Sequence, residues 1–172
     1  MKTNYWADKL NQGENLLQEF KIGNSYKRFM LYVSLAGSIL LAVAGFFIGN
    51  ALENYFLIFI AIGAAIFSFC YFTYFLDASY RYALTNKRIL IMEGYLHTKV
   101  ISIDYETITD VKVYETLINK LFTKTANIFL NTAGSQTMEG ALRNIENPYE
   151  IKRKISQLTE EYRAKSYPTK AK

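Results

Sequence analysis

The chain of 172 residues has one cysteine, one histidine and two prolines, and two stretches of 20 and 22 residues carry no charge at all. Each shortage excludes something. With Cys70 alone, neither a disulfide framework nor a cysteine metal site can be built. With His97 alone, paired-histidine metal sites are excluded, and any serine-histidine or cysteine-histidine catalysis rests on a single side chain. Phosphate loops, dinucleotide fingerprints and nucleophile elbows do not occur. The acidic group Asp104, Glu106 and Asp110 has the spacing of no calcium loop and reads as solvated charge. The net charge of +5 is spread without an aromatic base-stacking motif, which argues against nucleic acid. The expectation is a non-enzymatic protein with no cofactor and no metal site.

The two uncharged stretches, 29–48 and 55–76, are long enough as helices to cross the roughly 30 Å hydrocarbon core of a bilayer. They predict a transmembrane hairpin over 29–76, turned by the polar link 49–54, in which Glu53 is the single charge. Ala42-Val-Ala44 has the form of a signal-peptide cleavage site, but the apolar run continues past it to Ile48. A soluble domain of this size cannot surround two helices that are apolar all round. Lys21, Lys27 and Arg28 flank one side of the hairpin with Arg81, Lys87 and Arg88, while the link has no cation. That bias predicts a multi-pass cell-membrane protein with both termini cytoplasmic. Tyr55, Tyr71, Phe72, Tyr74 and Phe75 suit interfacial aromatic belts.

Along the first span Ser34, Ser38, Ala42, Gly45 and Gly49 form a stripe of small residues, and Ala61, Ala64, Ala65 and Ser68 offer a similar surface on the second. Small residues let helices approach closely, either with each other or with a second copy. Ionisable groups are missing from both runs, so an anchor is expected rather than a transport path.

Residues 1–28 place Trp6, Leu10, Leu16, Leu17 and Phe20 among polar residues. Two readings stay open for this leader: an interfacial amphipathic helix, or a loosely ordered segment. After 76 the pattern changes to alternation. Tyr80, Tyr82 and Leu84 share one face of a strand, and further strands are predicted at 88–93, 95–103, 110–114, 126–131 and 136–142, with a loop at 132–135. Asn147, Pro148 and Glu150 signal a helix start, and Ile151, Ile155, Leu158 and Tyr162 form its apolar stripe. A small mainly-β domain over 77–163 is expected, followed by a disordered basic tail, 164–172.

The stretch Tyr82-Ala-Leu-Thr-Asn-Lys-Arg-Ile-Leu-Ile-Met-Glu-Gly-Tyr-Leu96 resembles the bacterial pleckstrin-homology-like domain family of small membrane proteins. Three later segments are similar in order to that family: 103–113 around Ile108-Thr-Asp-Val-Lys-Val113, Ile128-Phe-Leu-Asn-Thr-Ala-Gly134, and Asn147-Pro148. Gly13-Glu14 resembles a Gly-Glu pair found before its hairpin. Where the family has a glycine-rich Leu-Phe-Gly turn, this chain reads Leu121-Phe-Thr-Lys-Thr125. The resemblance implies a pleckstrin-homology-like antiparallel barrel of roughly seven strands, capped by a C-terminal helix. Such domains bind phospholipid headgroups, peptides or proteins.

Because the anchor already supplies location, a protein or peptide segment, or self-association, is the first expected ligand. Anionic headgroups are the second: Lys87 and Arg88 in the first turn, with Lys120 and Lys124 in the long loop, are expected to converge on membrane lipids. A part in a small-molecule transport or channel assembly is the distant third.

Overall fold

Segments rich in β-branched and aromatic residues pair into two antiparallel sheets. The computed structural model describes residues 5–94, 97–133 and 140–166. The first sheet runs β1-β2-β3-β4, from Leu16–Lys21, Tyr80–Thr85, Arg88–Glu93 and Lys99–Asp104. The second runs β5-β6-β7, from Ile108–Tyr114, Thr125–Thr132 and Gly140–Glu146. Helices α1 (Asn24–Ala51) and α2 (Tyr55–Ala78) stand between β1 and β2, and α3 (Pro148–Ser166) follows β7. The expected barrel is thus two sheets of four and three strands, with no ladder joining them among the described residues.

Two expectations are corrected here. Residues 16–21, read as part of a leader, are an edge strand whose Phe20 lies opposite Tyr82 and whose Lys21 lies opposite Arg81. The four apolar residues Ile89 to Met92 explain why a further layer is needed. Ile89 and Ile91 face the main core, whereas Leu90 and Met92 point the other way with Ala83. A strand buried on both faces reads as a continuous apolar run. Its outer face is covered by Trp6, fully buried, with Leu10 and Leu16, so these residues pack on protein rather than on an interfacial helix.

The main core joins Tyr82, Leu84, Ile89, Ile91 and Ile103 of the first sheet to Val111, Ile128, Leu130, Leu142 and Ile145 of the second. At Gly140 the sheets come so close that a β carbon would lie 2.5 Å from Ile103 Cδ1. Helix α3 lays Ile151 and Ile155 over this core, with Leu158 and Tyr162 partly buried beside them. The Lys154 ammonium donates to Gln18 Oε1 at 2.7 Å, tying α3 to β1. Asn147 enters the helix with φ 52°, and its carbonyl accepts from the N–H groups of Glu150 and Ile151.

Helices α1 and α2 pack against each other, and the small residues sit at their contact. A β carbon on Gly45 would fall 2.0 Å from Ala61 Cβ, and one on Gly49 would fall 2.4 Å from Ile58 Cγ1. Ser38 is buried, and Ser34 and Ala42 are half-buried on the same stripe. On α2, Ala65 is buried and Ala61 and Ser68 are half-buried, but Ala64 points outward. The opposite faces leave Tyr32, Leu40, Phe47, Phe59 and Phe67 exposed. Helix α1 is long and apolar enough to cross a membrane, and little of it is buried in the protein. The described apolar part of α2, Tyr55–Tyr71, is shorter, so a second span is not shown.

The predicted third and sixth strands appear as β4 and β7; residues 95–96 and 136–139, with which the predictions began, lie outside the described residues. So do Gly134 and Ser135 of the predicted loop, 167–172 of the predicted tail, and the side chains of Phe72 and Tyr74 of the predicted belt.

Candidate functional site

The four cations expected to converge do not. Arg88 is taken up inside the fold: its Nε donates to Glu14 Oε1 at 2.9 Å and its Nη2 to Glu14 Oε2 at 2.9 Å, a bidentate pair. Glu14 also accepts from the Thr85 hydroxyl at 2.8 Å and the Asn11 N–H at 2.9 Å. Burial pushes the Glu14 carboxyl up, but the Arg88, Asn11 and Thr85 hydrogen bonds and the guanidinium charge outweigh it and hold it at about 2. The same carboxylate pushes Arg88 up. Gly13, with φ 72°, makes the bend that delivers Glu14 to this position. Arg88 is therefore a clamp on the N-terminal segment and not a ligand contact. Lys87 is exposed beside it, at the end of β2 that lies a full strand, about 20 Å, from the C-terminus of α2.

Lys120 and Lys124 lie at the opposite end of the domain, beside the root of α1. Between β5 and β6 the chain forms a short helical segment ending in the π turn Asn119–Thr123. Asn119 and Thr123 are buried and pin it: Asn119 Nδ2 donates to Asn144 Oδ1 at 3.2 Å, and the Thr123 and Thr125 hydroxyls lie 2.7 Å apart. Lys124 closes the segment in the left-handed conformation, φ 51°, with its N–H on the Asn119 carbonyl at 2.6 Å. This is the loop where the glycine-rich turn of the resembling family is missing.

Lys120 and Lys124 share a groove of about 450 Å³ with Glu115, Glu150 and Arg153, floored by Thr125 and the start of α3. Three cations face two carboxylates across this space. The Tyr149 hydroxyl donates to Glu115, which pushes that phenol up. Such a lining offers donors and acceptors of both signs, which suits a polypeptide better than a multiply charged phosphate. A second, smaller groove runs between β5 and α3, lined by Thr109, Val111, Ser156 and Arg163. There β5 has no strand neighbour on its outer side among the described residues.

The root of α1 is fixed to the same region. Glu146, at the end of β7, accepts from the Ser25 N–H and the Ser25 hydroxyl, both at 2.8 Å. A carboxylate there is stabilised by the exposed amides and dipole of the helix start. The Ser25 N–H bond outweighs partial burial, and with the Ser25 hydroxyl and Arg28 it holds Glu146 below its ordinary range. Gly23 donates to the Asn144 carbonyl at 2.8 Å, and a β carbon on it would meet Glu146 Cγ at 2.6 Å.

His97 is exposed in the β3–β4 connection, and Cys70 is exposed on α2. Among the described residues, no group of three or more histidine, cysteine or acidic side chains is placed to hold a metal. The residues that sequence reasoning missed are Glu115, Tyr149, Glu150 and Arg153, because the groove joins segments about 30 positions apart. Lys120 and Arg153 carried no common signal in the sequence.

No curated protein matches this chain. A crystal structure of a DUF1696 family protein with a pleckstrin-homology domain from Shewanella loihica PV-4 is similar to it, with a TM-score of 0.37 and 21% identity over 46% of this chain and 71% of that one. Residues 35–159, from within α1 to the later part of α3, match the family described as Bacterial PH domain. With well over half its length in that match, the chain belongs to the bacterial PH domain family.

Proposed function

We propose that this protein is a non-enzymatic, membrane-anchored binding module that presents its PH-like domain at the cytoplasmic face to a protein or peptide segment. The observation that carries the ligand reading is the mixed-charge groove of Lys120, Lys124, Arg153, Glu115 and Glu150. Beyond Ile108, whose carbonyl accepts from Arg163, the outer edge of β5 has no strand neighbour among the described residues and adds a surface on which an extended segment can pair.

The anchor reading has separate support. Helix α1 has the length and composition of a span, and α2 continues as a helix for 24 residues with an exposed apolar surface. In this reading both helices cross. Strand β1 enters α1 and β2 leaves α2, and the two strands are paired, so both ends of the helix pair emerge on one side. Lys21, Lys27, Arg28 and Arg81 gather at that side, which the positive-inside rule assigns to the cytoplasm.

The reading is tested with a photoreactive residue at Arg153 of the full chain in native membranes. A reproducible crosslinked polypeptide, lost when Lys120 and Lys124 are both changed to Glu, is expected. Crosslinks to lipid alone would favour anionic headgroups, the second reading; no reproducible crosslinked polypeptide, including a second copy of the chain, would refute the first. The headgroup reading has lost Arg88 to Glu14 and Lys87 to the far end of the sheet, which leaves it fewer cations than the sequence offered.

A further inference from the structure

Outside the helix pair, exposed large apolar side chains are few, and they cluster. Tyr114, Leu117, Ile118, Leu121 and Phe122 are five of the eight among the described residues. Leu117 is 79% exposed, Ile118 55%, Leu121 72% and Phe122 66%. A small domain rarely leaves such a patch uncovered without a use. Loose packing does not explain it, because buried Asn119 and Thr123 hold the same turn firmly on the sheet and so direct its other side chains outward.

A stacked ring pair relates the depth of this patch to α1. Phe122 stacks on Phe29 with ring centroids 5.5 Å apart. Phe29 is the first residue of the uncharged run and follows Lys27 and Arg28 directly. Whatever level in the bilayer marks the change from cationic to apolar residues on α1, Phe122 lies at that level too. Lys120 lies within the same segment and Lys124 just after it, both on the adjoining groove; a lysine at such a border can lay its stem along apolar surface and extend its ammonium group to the headgroups.

We propose that segment 117–122 enters the lipid interface beside α1, with its apolar side chains at the boundary between headgroups and acyl chains and Lys120, with the neighbouring Lys124, among anionic headgroups. The proposal rests on α1 spanning the bilayer, as read above. Lipid is the occupant because the patch is continuous through Phe29 with the exposed apolar surface of α1, and because apolar side chains bordered by lysine match an anionic interface. The consequence for the binding reading is positional. The groove shared by Lys120 and Lys124 is held at the membrane surface, within reach of a segment lying along it.

The lone cysteine makes the test direct. In a Cys70→Ser background, nitroxide labels are placed singly by Leu121→Cys, by Leu40→Cys within α1, and by Lys87→Cys at the far end of the sheet. The full chain is reconstituted in vesicles of phosphatidylethanolamine and phosphatidylglycerol, and collisions with oxygen and with a water-soluble nickel chelate report depth. The expected result is a deeply buried label at 40, an aqueous label at 87, and a label at 121 about 5–10 Å inside the interface. A label at 121 as open to nickel as that at 87, with 40 buried, overturns the proposal and leaves the anchor standing. A label at 121 shielded from both reagents overturns it in favour of a protein contact, and an aqueous label at 40 overturns the anchor and this proposal together.

Discussion

Replacing Glu14 by Gln tests whether the N-terminal segment is an integral part of the domain. The change removes the charge that Arg88 faces through two hydrogen bonds of 2.9 Å, at a carboxylate that is fully buried. Glu14 is held at about 2 against an ordinary value of 4.5, so its ionised form is favoured in the folded state by about 3 kcal/mol, at 1.36 kcal/mol per pH unit. Breaking a buried pair from one side costs about 3–5 kcal/mol, because the remaining charge is left uncompensated. The two figures agree, and either is a large share of the roughly 5–15 kcal/mol that stabilises a domain. Urea unfolding of the full chain in nanodiscs, followed by near-ultraviolet circular dichroism, gives the loss; Trp6 packs on the same segment and contributes to the signal. The pH dependence has a definite sign. A depressed carboxylate contributes fully above its unfolded value, so the gap between the two proteins is constant from neutrality to about pH 5. It narrows as pH falls below about 4.5 toward about 2. Adding Arg88→Met to Glu14→Gln recovers part of the loss, because the orphaned guanidinium is removed. A gap below about 1 kcal/mol at pH 7, or one that does not narrow in acid, would refute the clamp.

Gly45→Ala forces a β carbon against Ala61 and costs about 1–3 kcal/mol in the stability of the helix pair; Ala61→Gly in the same chain restores it, read by thermal unfolding in nanodiscs. Ile155→Ala removes a fully buried side chain at the closed end of the core and costs about 2–5 kcal/mol, with faster proteolysis of α3 as the check. Glu146→Gln weakens the cap on α1 by about 0.3–1 kcal/mol and speeds amide exchange at Ser25. In the wild-type chain that cap is present at neutral pH and fades as pH falls below the usual carboxylate range.

Local pattern carried much of the fold. The alternation in β5 and β6 and the apolar stripe of α3 are consequences of facing one core, and each was visible in a few neighbouring residues; β2, buried on both faces over most of its length, was legible from Tyr80, Tyr82 and Leu84. Strand β1 was not, because Leu16-Leu-Gln-Glu-Phe-Lys21 does not alternate strictly and its partner is some 60 positions away. The clue was in β3: four apolar residues in a row need cover on both faces, and Trp6 and Leu10 were the unassigned apolar residues nearby in composition. Lys87 and Arg88 are adjacent in sequence, yet one is solvated and the other is neutralised by a residue 74 positions earlier. Counting charges cannot see a counterion that only the fold supplies. Leu117, Ile118, Leu121 and Phe122 were hidden inside what looked like a loop, since their common outward face depends on the turn pinned by Asn119 and Thr123.

The pairing of β1 with β2 also imposes an order on synthesis. Lys21 ends one strand and Tyr80 begins the other, so the first must wait for about 60 residues to be made before its partner exists. At roughly 5–20 residues per second that is about 3–12 seconds, during which the helix pair is already entering its final surroundings. Once formed, five paired positions hold both ends of the helix pair together. In the proposed reading, where both helices cross a bilayer, a chain in which one of them failed to cross would leave those strands on opposite sides, unable to complete the first sheet. In that reading, closure of the first sheet is a check on the topology of the helix pair.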